Sequence, residues 1–94
     1  IAACCTMEGV HFLNLVATIV VANLTTKQGL KKVVVVVYSQ VATKEDTELW
    51  ANVNNAGMHM PGNVKWLPLV AYQRVMALNF HAPIHLILKL TPLL

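Results

Sequence analysis

Few residues in this chain stand at spacings that could do chemistry. His81 and His85 lie four apart, as two metal ligands on one helix face would. No Glu follows His81, and Pro83 falls between the pair, so both the general base and the regular helix of a zinc-peptidase motif are missing and no metal is expected. Cys4 and Cys5 are adjacent, and neighbouring positions on a strand point to opposite faces, so neither a disulfide framework nor a chelating pair is implied. The stretch Asn54-Asn55-Ala56-Gly57, followed by Pro61-Gly62, is more informative. Small, φ-permissive residues beside carboxamides make a loop whose backbone a ligand can approach closely. Met58, His59 and Met60 just beyond it could line a substrate mouth, although Met more often fills gaps in a core, which is the preferred reading. Asn23-Leu24-Thr25 is formally a glycosylation acceptor, but it ends an apolar run where no exposed loop is expected, and coincidence explains it better.

The elements that must position the loop follow from the apolar pattern. Ile1 to Cys5 reads as a buried strand that ends at Thr6 and a polar turn at Glu8-Gly9. Ala17 to Leu24, rich in β-branched residues, reads as a second strand covered on both faces. Lys27 to Val41 is ambiguous by itself: Val33 to Val37 favour a strand through χ1 stiffness, whereas the length and the Lys31/Lys32 flank permit a crossover helix. As a strand, the same valine run would be prone to aggregate, with the two lysines as gatekeepers. Leu49 to Val53 reads as a third strand opening into the Asn54–Gly57 loop, the place where α/β proteins bind ligands. Ala71 to Leu90 reads as a largely buried helix, bracketed by Pro68 and Pro92 and kinked or broken at Pro83.

Composition narrows the function classes. Ninety-four residues allow one core and no second domain, and a chain of 56% hydrophobic and 12% charged residues is too apolar for a disordered segment. It suits the buried centre of a larger α/β protein. The net charge of +3 comes from scattered Lys and Arg with no run longer than Lys31-Lys32, so nucleic-acid binding is not expected. The longest apolar stretch, Leu15 to Ala22, is far short of the roughly 18 residues of a membrane span. A module lying on a membrane surface would need an amphipathic basic helix, and none is present. A start at Ile1 without a leader pattern is what an internal segment would show.

The segment Leu49-Trp50-Ala51-Asn52-Val53-Asn54-Asn55-Ala56-Gly57 resembles the strand-plus-NNAG signature of the short-chain dehydrogenases/reductases. Trp66-Leu67, Tyr72 with Val75, Leu78-Asn79-Phe80 and Thr91-Pro92-Leu93-Leu94 fall at the offsets of that family's W-L, D-Y-x-x-V, V-N-x-x-G and LPLL elements. Upstream, Ala2-Ala3-Cys4-Cys5-Thr6 looks like its second strand, and Ala22-Asn23-Leu24-Thr25 like the end of its third. The combination is similar to the branch holding retinol, hydroxysteroid and 3-hydroxybutyrate dehydrogenases. The resemblance implies an α/β, partial Rossmann-type (doubly wound) three-layer fold, from the family's second strand to the helix after its fourth, with residues 1–94 forming a single partial coenzyme-binding domain. It also decides for a helix over Lys27 to Val41.

The resemblance further implies roles. Asn23 and Leu24 match the positions that meet the adenine of NAD or NADP, where an amide and a backbone N–H can pair with the base edge. Asn55, Ala56 and Gly57 match the loop beside the coenzyme riboses, and Asn54 a residue tying neighbouring strands. Asn79 matches the catalytic Asn that kinks its helix and serves the proton relay. Ala82-Pro83 stands where the family has a Gly-hydrophobic pair. The family's glycine-rich pyrophosphate turn lies upstream of the elements matched here, and its Ser and Y-x-x-x-K pair downstream. Tyr38 and Tyr72 cannot replace that Tyr, because Ala42 and Met76 stand where its Lys would lower the phenol's pKa. In the family's sheet the first strand sits between the second and fourth, so here those two either pair directly or are split.

The expected function is therefore that of a fragment of an NAD(P)-dependent oxidoreductase acting on an alcohol or ketone of retinol, steroid or hydroxy-acid type, inactive alone. The alternative is a non-catalytic, truncated or decayed relative acting as a binding module. Partners implied for the intact family are the nucleotide coenzyme and a small alcohol or ketone, with homo-oligomers admitted. The compartment is left open, although members of that branch are often associated with intracellular membranes or mitochondria.

Overall fold

The computed structural model describes residues 1–13 and 17–94. The first two residues of the Leu15–Ala22 run, and Asn14 before them, lie outside the described residues. Strand β1 (Ala2–Cys4) is followed by helix α1 (Met7–Leu13), strand β2 (Ile19–Val21) and the long helix α2 (Lys27–Thr43). An irregular stretch then leads to helix α3 (Leu69–Met76), a π turn (Ala77–His81), helix α4 (Ala82–Leu90) and a closing 3₁₀ turn (Thr91–Leu93). The two strands pair in parallel, Ala2 opposite Ile19 and Cys4 opposite Val21. The result is a small α/β fold with a two-stranded parallel sheet.

The short apolar runs became strands as expected, each trimmed to three residues. The expected polar turn at Glu8-Gly9 is instead the first half of α1, a seven-residue helix. Glu8 in its first turn suits the positive end of the helix dipole, and α1 packs on both strands.

The valine run is helical. Thr26 caps α2, its hydroxyl accepting from the Gly29 N–H at 3.0 Å, and Leu30, Val33 and Val37 are buried at helical spacing. Packing of that one face outweighs the few tenths of a kcal/mol by which each valine disfavours helix. Val20 on β2 and Ala22 just beyond it meet Leu30, Val33 and Val37 of α2 and Ala82, Leu86 and Leu90 of α4 in one core. The Tyr38 hydroxyl donates to the Lys89 carbonyl at 2.9 Å and ties α2 to α4.

Leu49 to Val53 is not a strand: its residues pair with no neighbour among those described, and Trp50 and Val53 are 89% and 83% exposed. A strand exists only where a second backbone takes up its N–H and C=O groups, and the sheet stops at β1. The segments expected as the second and fourth strands of a doubly wound sheet are therefore neither paired nor joined in one sheet. The radius of gyration, 15.1 Å, exceeds the roughly 12 Å of a compact chain of this length, so the molecule is open.

The expected helix over Ala71 to Leu90 is present but divided. It starts after Pro68, and the break comes one turn ahead of Pro83. Lacking an N–H, Pro83 cannot donate to the Asn79 carbonyl, and the ladder slips by one residue so that the Ala82 N–H meets the Ala77 carbonyl five residues back. No helix among the described residues is long and apolar enough to cross a membrane.

Candidate functional site

The loop after position 53 is held by Asn79. Its Oδ1 accepts from the Met58 N–H at 2.9 Å and its Nδ2 donates to the Met58 carbonyl at 2.6 Å, so one carboxamide on the π turn mimics a strand partner for the residue after Gly57. Both ends of the Asn79 side chain are thus engaged, and the group left for a water is its main-chain carbonyl, which Pro83 deprives of an α-helical donor. Asn79→Asp keeps the acceptor but sets a carboxylate against the Met58 carbonyl. Stability is expected to fall by about 1–2 kcal/mol, read from the urea midpoint, with amide exchange quickened at Met58.

A cavity of about 700 Å³ opens between the sheet, α2, α4 and residues 49–56. Leu24, Asn55 and Ala56 line it together, as does Asn54, which ties no strands: its neighbours belong to no sheet. Asn23 does not line it. Its Oδ1 accepts from the Thr25 N–H at 3.0 Å and the Thr25 hydroxyl at 2.7 Å, and its main-chain carbonyl accepts from the Thr26 hydroxyl at 2.9 Å. Asn23 is thus the hinge of the turn from β2 into α2, and its Nδ2 donors remain for a ligand.

Gly57 lies outside this cavity, next to Asn79. A Cβ there would meet only Asn79 Oδ1, at 3.5 Å, and the glycine's φ is not positive. Nothing within the chain therefore demands glycine at this position. Gly29 is the opposite case, and its role was not foreseen: a Cβ would lie 1.9 Å from the Asn23 carbonyl oxygen. The signal available in sequence was a glycine in the first turn of a helix behind a Thr cap.

Met58, His59 and Met60 do not join the core; with Leu67, Tyr72 and Asn79 they line a second cavity of about 350 Å³. The hydroxyl of Tyr72 donates to the Val64 carbonyl at 2.9 Å, so it and Tyr38 are both engaged with main chain. His81 closes the π turn while His85 sits inside α4, and no group of three His, Cys, Asp or Glu residues gathers among those described. Cys4 and Cys5 are free thiols.

Over part of its length the chain is homologous to a member of the short-chain dehydrogenases/reductases. Over 60 residues, 62% of the chain, it is 42% identical to estradiol 17-beta-dehydrogenase 2 of Rattus norvegicus. Over 59 residues, 61% of the chain, it is 39% identical to the protein of the same name from Mus musculus. The matched stretch spans 16% of the length of each relative. No family profile and no solved structure matches the chain.

Proposed function

We propose that the chain is the coenzyme-facing part of a Rossmann-type, NAD(P)-dependent oxidoreductase acting on an alcohol or ketone, and that it does not turn over substrate alone. Residues 1–94 would be one partial coenzyme-binding domain within it. The observation that carries this reading is the meeting of Leu24, Asn55 and Ala56, from distant parts of the sequence, on one cavity wall. The cavity runs along β1 from Ile1 to Ala3 and reaches Leu24 beyond the carboxyl end of β2, and it is beyond the carboxyl ends of their strands that such folds hold nucleotides.

Asn23 offers its carboxamide N–H groups, and Leu24 its backbone N–H, to an adenine edge. Asn55 and Ala56 form the wall beside the riboses, and Gly57, next to them but outside the cavity, keeps the loop backbone open to the coenzyme, since nothing within the chain demands glycine there. Asn79 fixes that wall, and its main-chain carbonyl can hold a water in a relay. The similarity to estradiol dehydrogenases favours a steroid-like substrate within the alcohol and ketone class. The coenzyme, when bound, supplies hydride transfer, and the residues of this chain bind and orient it.

The test is Gly57→Ala. The added methyl makes only an ordinary contact, so stability, followed by thermal unfolding, is expected to stay within about 0.5 kcal/mol of the original, while affinity for NAD or NADP falls at least tenfold. Equal affinity in a folded variant would show that the coenzyme does not approach Gly57.

A further inference from the structure

The smaller cavity, about 350 Å³, gathers one kind of side chain. The chain has four methionines, and three of them, Met58, Met60 and Met76, line this cavity together with His59. One wall is a helix face: Tyr72, Val75, Met76 and Asn79 stand three and four apart along α3 and the π turn that continues it, so their side chains share one side. Another wall is the segment after Gly57. Met58 and Met60 are half-buried and His59 between them is exposed, the alternation of an extended chain, which sets both thioethers on the same side. The double hydrogen bond between the Asn79 carboxamide and the Met58 main chain holds the two walls in register.

The other polar side chains of this cavity are already committed. The Tyr72 hydroxyl is turned to the Val64 carbonyl, and both ends of the Asn79 carboxamide are engaged with Met58. Among the described residues no carboxylate and no thiol lines the cavity. What remains in the wall is three thioether sulfurs and the His59 imidazole, which makes no hydrogen bond or ion pair among the described residues. Calcium and magnesium need oxygen ligands, and zinc sites are built from thiolate, imidazole and carboxylate. Neutral thioethers with an imidazole suit a soft, singly charged ion instead. Methionines acting only as gap-fillers would close the space between them, yet these line an open cavity and none belongs to the core.

We infer that this cavity is a binding site for copper(I), in which Met58, Met60 and Met76 supply thioether ligands and His59 an imidazole nitrogen. Met76 reaches the ion from the helix and the other three from the loop, so the site exists only where the Asn79 clamp joins the two. The inference does not rest on the coenzyme reading, since none of Leu24, Asn55 and Ala56 takes part, and it leaves the His81–His85 pair without a metal.

The probe is silver(I), a redox-inert ion of the same charge and ligand preference, followed by copper(I) kept reduced without oxygen. The 94-residue chain carries Cys4→Ala and Cys5→Ala, so that thiolates do not take the ion first. Methionine methyl resonances are followed, with Met7 in α1 as the internal reference. The expected result is one ion per chain, with the methyls of Met58, Met60 and Met76 shifting together and that of Met7 unmoved, and with copper(I) competing for the same site. Met60→Leu and Met76→Leu, each close in volume to the original, are expected to weaken binding at least tenfold while the helical circular dichroism persists. Zinc(II) at the same concentration leaves the methyls in place. If the chain is unordered before the metal is added, a gain of helical signal at one equivalent that Met76→Leu abolishes supports the site. Binding unchanged by Met76→Leu would mean that Met58-His59-Met60 holds the ion without the fold, and an equal shift at Met7 would mean unspecific thioether binding. Either result, or no binding, overturns the inference.

Discussion

Gly29→Ala is expected to destabilise the chain by on the order of 3 kcal/mol, and to leave a large share of it unfolded without denaturant. The new Cβ would stand 1.9 Å from the Asn23 carbonyl oxygen, a backbone atom fixed by the Thr26 hydroxyl and by the Thr26 N–H. Neither side of that contact can rotate away as a side chain would. Relief requires moving α2 off the end of β2, and α2 carries three residues of the core, Leu30, Val33 and Val37. The urea midpoint by circular dichroism measures the loss. A midpoint within about 0.5 kcal/mol of the original would show that the β2–α2 turn is looser than the structure has it.

Leu86→Ala is expected to cost about 3 kcal/mol, within the range for truncating a buried leucine. Leu86 is 7% exposed and packs in the core where α4 meets α2 and β2, yet it also borders the large cavity, so its removal enlarges an existing void that the surroundings cannot close. Leu88, two residues on in the same helix and 70% exposed, provides the control: Leu88→Ala is expected to change stability by less than about 0.5 kcal/mol. Thermal midpoints of the two variants side by side test whether the core of the chain alone lies where α2, α4 and β2 meet. Equal effects would place it elsewhere.

Local pattern made part of this fold legible. The run Ile1–Cys5 was apolar up to a polar turn, and Ala17–Leu24 was continuous and β-branched, enough for both to read as strands, and Pro68 and Pro92 marked the ends of the last helical stretch. The valine run was not legible from propensity, because strand preference and helix length disagreed; a buried Leu30-Val33-Val37 face decided it, together with a Thr cap. Leu49 to Val53 misled for the opposite reason. Its composition suits a strand, but pairing is a property of the neighbour, and the β1 edge across the cavity does not pair with it. Likewise Pro83 announced a break, while the position of the slip, one turn earlier, followed from which carbonyl loses its donor.

The candidate site was legible to a similar degree. The small residues at 55–57 and the carboxamide at 79 stood out by type, but the clamp from Asn79 to Met58 joins residues 21 apart and needed coordinates. Asn23 stood out for ligand contact, and much of its side chain proves to serve the turn. Gly29 drew no notice because a glycine early in a helix is common, and only the distance to Asn23 reveals its necessity.

The most direct test of the coenzyme reading is calorimetric titration of the folded 94-residue chain with NAD and NADP. The account predicts saturable binding of one of them near 1 mM, about 4 kcal/mol, from the wall formed by Leu24, Asn55 and Ala56. A chain that folds, shows the expected helical signal and binds neither nucleotide would contradict it.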